Sequence, residues 1–255
     1  MLTMKLNYRK YGSGEPIIIL HGVFGASDNW QTVGKKLSEN FEIYLVDLRN
    51  HGLSPHDDEM NYSVMAEDLI DLLNDENLDS AHFVGHSMGG KVAMSLACSN
   101  PEKIKKLVVV DIAPKYYPPH HQTILSAFHD LDINSIKSRK EADDRLKNTL
   151  GDFGVRQFIL KNLGRDENNE FEWKINYQAI ENNIEELGKG LEKGQVFKGQ
   201  TLFISGLKSD YIKEEDIPLI KEHFPNADFI DIDAGHWVHA EKPEEVFEAV
   251  RNYLS

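Results

Sequence analysis

Short, uninterrupted runs of apolar residues recur along this chain, and they restrict its fold more than any other feature. PIIIL at 16–20, FEIYLVD at 41–47, AHFVG at 81–85, LVVVD at 107–111, TLFISG at 201–206 and ADFID at 227–231 are the clearest. A strand with one wet face alternates apolar and polar residues. Most of these runs do not alternate, so they read as central strands of a parallel sheet covered on both faces. Residues 5–11 do alternate and read as an edge hairpin strand. Helical patterns lie between the runs, as parallel crossovers require. Ser63 is placed to cap a helix whose apolar positions Met65, Leu69, Leu72 and Leu73 share one face. Residues 88–99 read as another helix, stopped by Asn100-Pro101, and 244–253 as the last. The class is therefore α/β, a mostly parallel sheet with helices on both faces, in one domain of 255 residues.

Residues 114–199 break this rhythm. They carry helical patterns at 122–131, 138–150, 155–163 and 177–187 and a polar hairpin candidate around 165–173, but no core strand. The stretch is too long for an ordinary connection, so it reads as a helical cap inserted into a core of 1–113 and 200–255. Composition then excludes several functions. With 28 basic and 42 acidic side chains the net charge is −14, which repels phosphate backbones and argues against a nucleic-acid partner. No apolar run approaches the ~20 residues of a membrane span. The start, MLTMKLNYRKYG, lacks the apolar centre of a secretory signal and reads as the beginning of a strand, so a cytoplasmic location is expected. The lone cysteine, Cys98, excludes an internal disulfide and a cysteine-rich metal site, and it reads as a small apolar residue on the 88–99 helix.

Three short motifs carry chemistry. Gly85-His86-Ser87-Met88-Gly89 lies between the AHFVG strand and the helix that follows. A sharp turn there lifts a serine hydroxyl out of the sheet, small neighbours let the backbone pass, and the helix N-terminus offers an N–H to an oxyanion. Ser87 is thus the candidate nucleophile and Met88 N–H one oxyanion donor. His21-Gly22-Val23-Phe24-Gly25 directly follows PIIIL, and a strand ending in HGxxG supplies the second donor: Val23 N–H first, Phe24 N–H as the alternative. His21 itself reads as a hydrogen-bonded turn residue rather than a base. Gly235-His236-Trp237 follows the ADFID strand at the same sheet edge, which makes His236 the candidate base, with His239 the weaker one. His86 reads as structural. The histidine needs a carboxylate to hold its tautomer. Asp111 ends LVVVD and Asp210 follows TLFISG, and the residues alone leave both open.

In combination HGVFGASDNW, LRNHGLSPH, VGHSMGGKVAM, VVVDIAP and AGHW resemble the α/β-hydrolase superfamily, more narrowly the bacterial broad-specificity esterases of the YbfF type and the ABHD11-like hydrolases. The resemblance implies an eight-stranded sheet, a helical cap, and carboxylesterase or thioesterase activity without a cofactor or metal. It implies Ser87 as nucleophile, His236 as base and Asp111 as the acid after the sixth strand. Superfamily members with a later acid show GxxD, and here Ser209 occupies that register with Asp210 one residue late. Within DLRNHGLS at 47–54, Arg49, Asn50 and His51 read as braces for the neighbouring oxyanion turn. Tyr116, Tyr117, Phe128, Phe158 and Trp173 are candidates to line an apolar acyl pocket.

The expected reaction is hydrolysis of a small-molecule carboxylic ester through an acyl-enzyme on Ser87, by a monomer or homodimer, with a thioesterase as one alternative. A C–C bond hydrolase and a cofactor-free haloperoxidase are alternatives on the same residues. From a different class, a non-catalytic hydrolase-fold module would bind its ligand without turnover.

Overall fold

The apolar runs form the strands of one sheet. The computed structural model describes residues 4–255, so the part of the N-terminal reading that falls on residues 1–3 lies outside it. Strands β1 (Tyr8–Gly12), β2 (Glu15–Leu20), β3 (Phe41–Val46), β4 (Ala81–His86) and β5 (Ile104–Val110) precede the long insertion. Within the insertion β6 (Leu163–Arg165) and β7 (Phe171–Trp173) pair separately, and β8 (Thr201–Gly206) and β9 (Ala227–Ile232) complete the main sheet. The order is β1-β3-β2-β4-β5-β8-β9, parallel throughout except for β1.

Two expectations need correction here. β1 is an edge strand, but it pairs with β3 rather than forming a hairpin with β2. β2 already has β3 on one side and β4 on the other, so no edge is left for β1. The sheet has seven strands among the described residues, not eight. Among the described residues β1 is the one strand before β2, and the backbone turns at Gly12 (φ 71°) and enters β2 within a few residues. A glycine takes that left-handed conformation without strain.

Helices α1 (Gln31–Leu37) and α11 (Pro243–Leu254) cover one face of the sheet, and α2 (Tyr62–Asp75) and α3 (Met88–Ser99) the other. Strand alternation divides the core accordingly. Ile18, Leu20, Phe83, Val109 and Phe203 face the α2/α3 layer, whereas Ile17, Ile19, Val84, Val108 and Ile204 face the α1/α11 layer. Each such side chain, fully buried, contributes roughly 1.5–3 kcal/mol. Asn61, not Ser63, caps α2, with its side-chain oxygen accepting from Val64 N–H at 3.0 Å. Ser63 lies inside the first turn, and Asn61 is in the extended conformation a cap needs. Met65, Leu69, Leu72 and Leu73 are all buried, as their spacing requires.

The stretch between β5 and β8 folds as α4 (Gln122–Asp130), α5 (Arg139–Leu146), α6 (Phe153–Leu160), the β6–β7 hairpin, α7 (Tyr177–Asn182) and α8 (Ile184–Gly188). The single helix expected over 177–187 is broken at Asn183. Its side chain donates to Ala179 O and to Asp58 O, both at 2.8 Å, and this local competition ends the first segment. This stretch rests on the loops at the C-terminal edge of the sheet. Asn162 Nδ2 donates to Phe24 O at 2.8 Å and Asn176 N–H to Asn50 O at 2.9 Å. The short helices α9 (Ile217–His223) and α10 (Val238–Glu241) complete the chain, and no described helix is long and apolar enough to cross a membrane.

Candidate active site

A parallel sheet delivers the ends of β2, β4, β5, β8 and β9 to one edge, where the loops after them meet. After β4 the chain reverses into α3 through Ser87, at φ 53° and ψ −118°. An L-residue holds such a conformation only where its surroundings enforce it, at about 1–3 kcal/mol of strain. Two glycines make the enforcement possible by close approach. A Cβ on Gly85 would lie 2.4 Å from Gly89 O, and one on Gly89 would lie 2.6 Å from His21 O. The second contact lets Gly89 N–H donate to His21 O at 3.1 Å, which pins the loop after β2 to the start of α3.

His236, after β9, faces the serine. Its Nε2 lies 3.1 Å from Ser87 Oγ, and its Nδ1 lies 2.7 Å from Asp111 Oδ2. With Nδ1–H donating to the carboxylate, the Nε2 lone pair is left toward the hydroxyl. Asp111 is 0% exposed and has φ 52°, a turn that folds its carboxylate back over the end of β8. Its Oδ1 accepts from Gly206 N–H at 2.9 Å, and its Oδ2 also accepts from Ser209 Oγ at 2.5 Å. Asp210 is not brought to the site. Its side chain is 95% exposed and pairs at 3.3 Å with Lys213.

The backbone N–H groups considered as donors differ in their hydrogen-bond partners. Phe24 N–H is already engaged, donating to His51 Nε2 at 3.2 Å. The N–H groups of Val23 and Met88 have no hydrogen-bond partner among the described residues, and both residues line the cleft beside Ser87. His51 donates from Nδ1 to Arg49 O at 2.9 Å, and burial pushes its pKa down to about 3, so the ring stays a neutral acceptor for Phe24. Arg49 is held in turn by Asp68 at 2.6 and 2.8 Å, and Asn50 Oδ1 accepts from Asp57 N–H at 2.8 Å.

Three further histidines occupy supporting places. His21 Nδ1 donates to Gly22 O at 2.8 Å and its Nε2 accepts from Leu48 N–H at 3.1 Å. His86 Nε2 donates to His236 O at 2.8 Å, fixing the backbone of that loop, and burial drives its pKa well below the usual histidine value. His239 stacks on Trp30 at 4.4 Å, and burial pushes it down to about 3.

Sequence reasoning missed two residues that touch this constellation. Ser209 donates to Asp111, and Tyr211 stacks flat on the His236 imidazole at 3.8 Å and 13°. A signal for Ser209 was its place at the GxxD register. Nothing local pointed to Tyr211.

The cleft has two lobes that meet at Ser87. One is lined by Val23, Met88, Ile112, Tyr117 and Leu187 and encloses about 450 Å³ with its mouth. The other is lined by Phe24, Ile124, Phe158, Trp237 and His236 and spans about 660 Å³ together with its open mouth. Of the aromatic residues considered for the pocket, Tyr117 and Phe158 line it. Tyr116 is exposed and hydrogen-bonds Glu185, while Phe128 and Trp173 pack against each other at 4.8 Å. Cys98 is only half-buried, and burial raises its thiol to about 11.

A parallel sheet with a strained serine turn, a histidine loop and a buried carboxylate at one edge is the architecture of the α/β hydrolases. The model of the α/β-hydrolase fold family matches residues 15–158, and the chain belongs to that family. Among its relatives, the Escherichia coli K12 protein named esterase YbfF is 38% identical over 99% of this chain and 100% of its own length. The zebrafish protein named sn-1-specific diacylglycerol lipase ABHD11 is 36% identical over 95% of this chain and 79% of its own. The solved structure of a marine microorganism esterase superposes with a TM-score of 0.96 at 42% identity, over 98% of this chain and all of that one.

Proposed function

We propose that the chain is a serine carboxylesterase that works through an acyl-enzyme on Ser87. The observation that carries this is the continuous hydrogen-bonded line from Ser87 Oγ through the His236 ring to the buried Asp111 carboxylate. The esterase and lipase names of relatives that match nearly the whole chain support ester chemistry.

In this mechanism Ser87 Oγ attacks the ester carbonyl while His236 Nε2 takes its proton. The carbonyl oxygen becomes an oxyanion, held by the N–H groups of Val23 and Met88. Asp111 keeps the imidazole in the right tautomer and stabilises its cation. The intermediate collapses, the C–O bond to the alcohol breaks, and His236 returns the proton to the departing oxygen. A water then attacks the acyl-enzyme by the same route, and the acid and free Ser87 are released.

Residues 114–199 serve as a cap over the cleft, since Tyr117, Ile124, Phe158 and Leu187 from that stretch wall it off from solvent. A thioester carbonyl would meet the same groups. The test is hydrolysis of p-nitrophenyl esters and acyl thioesters by the wild type and by Ser87→Ala, with labelling by a fluorophosphonate. Loss of turnover by about four or more orders of magnitude in the folded variant is expected, because a serine nucleophile has no substitute. Turnover retained above about a tenth would refute the assignment. Labelling of Ser87 without turnover of any ester would favour a ligand-binding module.

A further inference from the structure

Lys91 is a buried amine whose charged form has no counter-charge among the described residues. It stands one turn after Ser87 on α3, is 4% exposed, and forms no ion pair among the described residues. Its ammonium donates to Gly188 O at 2.9 Å and to Lys189 O at 2.5 Å, at the end of α8. The rings of Tyr117 and Tyr62 lie 4.8 and 5.6 Å away. An ammonium has three donors, so one N–H is left over. Carbonyl dipoles and ring faces orient a charge, but they do not cancel it.

The groups around Lys91 leave that charge uncompensated. From α2, Tyr62 donates its hydroxyl to Leu187 O, and from the segment after β5, Tyr117 donates to Tyr211 O. Burial raises both phenols above the usual range, so they stay neutral. Glu186 of α8 is engaged by Lys189 at 2.7 Å, and Lys115 is paired with Asp216 at 2.6 Å. His121, across the cleft, is pushed by burial to about 4 and is neutral. Desolvation lowers Lys91 itself to about 7. Lys91 lines the same lobe as Ser87, Met88 and Ile112, the lobe into which the cleft opens beside the nucleophile.

We propose that Lys91 is the acyl-side specificity residue and receives a free carboxylate, so that the preferred substrates are half-esters or half-thioesters of short dicarboxylic acids. This rests on the reading of Ser87 as the acylated residue. Helical side chains lean toward the preceding turn, so Lys91 leans toward the turn that holds Ser87, and the two line one lobe that a short acyl chain can bridge. The bound carboxylate supplies the missing charge and takes the remaining N–H.

The experiment compares p-nitrophenyl hydrogen glutarate with p-nitrophenyl pentanoate, an uncharged ester of matched length. The quantity read is the ratio of their kcat/KM values, in which the pH dependence of the shared chemical step cancels. In Lys91→Met the ratio falls about tenfold or more, the loss expected when one partner of a desolvated charge pair is removed. In the wild type the ratio falls as pH rises from about 6.5 to about 9, because only the protonated amine attracts the carboxylate. A ratio unchanged by the substitution and flat with pH would overturn the proposal and leave Lys91 as an anchor for α8. Should Lys91→Met not fold, inhibition of the wild type by carboxypropylboronic and butylboronic acids decides the matter. The carboxylate compound gains over the other at low pH, and no gain overturns the proposal. If the wild type cleaves neither ester, the hydrolase reading fails and takes this one with it. Cleavage of both with a flat ratio refutes this one alone.

Discussion

Replacing Asp111 by asparagine removes one charge at a point where three donors converge and no water reaches. Gly206 N–H, Ser209 O–H and His236 Nδ1–H all point at its two oxygens. An amide offers one oxygen and one NH2, so either orientation sets an N–H against another donor. With its oxygen toward Gly206, the NH2 faces Nδ1, and His236 answers by moving its own proton to Nε2. That places a donor where Ser87 needs an acceptor. With its oxygen toward His236, the NH2 collides with the Gly206 N–H, an unsatisfied buried pair worth about 1–3 kcal/mol of stability. Tautomer loss and loss of the charge that stabilises imidazolium together lower kcat by about 10⁴, close to 5 kcal/mol of transition-state stabilisation. Asp210→Asn, by contrast, changes only a solvent-facing pair with Lys213 and leaves kcat within about twofold. The assay is kcat and kcat/KM on one short-chain p-nitrophenyl ester for both variants, with circular dichroism to establish that each is folded. An Asp111→Asn enzyme within about tenfold of the wild type, or a larger loss in Asp210→Asn, would refute the reasoning.

Ser209→Ala removes one of three donors to Asp111 and lowers kcat by about three- to tenfold with the fold intact; a loss as large as that of Asp111→Asn would show that Ser209 does more than orient the carboxylate. Stability should fall on mild acidification. His51 and His239 are held neutral to about pH 3 in the folded state but take up a proton near 6.5 when unfolded. Their folded values are depressed, so the unfolded chain binds more protons between these limits, and stability present above about pH 6.5 is lost progressively below it. At pH 5 each withdraws about 2 kcal/mol. Urea unfolding at pH 7.5 and at pH 5 measures this, and equal or greater stability at pH 5 would contradict it.

The legible parts of this protein are those whose cause is local. PIIIL and AHFVG read as buried strands because a run without alternation has no face to give to water. The Met88–Ser99 helix has the expected bounds because Pro101 follows and Ser87 precedes it in a conformation no helix can continue. Bounds inside the insertion were less legible. The polar side chains of Asp152 and Asn183 each decide an end by binding a particular backbone group, and a search for apolar spacing does not see that.

What the sequence determined by itself was therefore the strand–turn–helix unit around Ser87, its companion turn after β2, and a histidine delivered to the same edge of the sheet. Each follows from residues within about a dozen positions of one another. The choice between Asp111 and Asp210 belonged to the tertiary structure. Both follow parallel strands, and both precede His236 in the chain. Only the neighbouring of β5 with β8, and the left-handed turn at Asp111, folds one carboxylate under His236 while the other faces solvent. Tyr211 against the imidazole and Lys91 beside the cleft, in no ion pair among the described residues, have the same origin. Contacts between residues far apart in sequence depend on strand order and on what the helices over the sheet cover, and no window of sequence contains either.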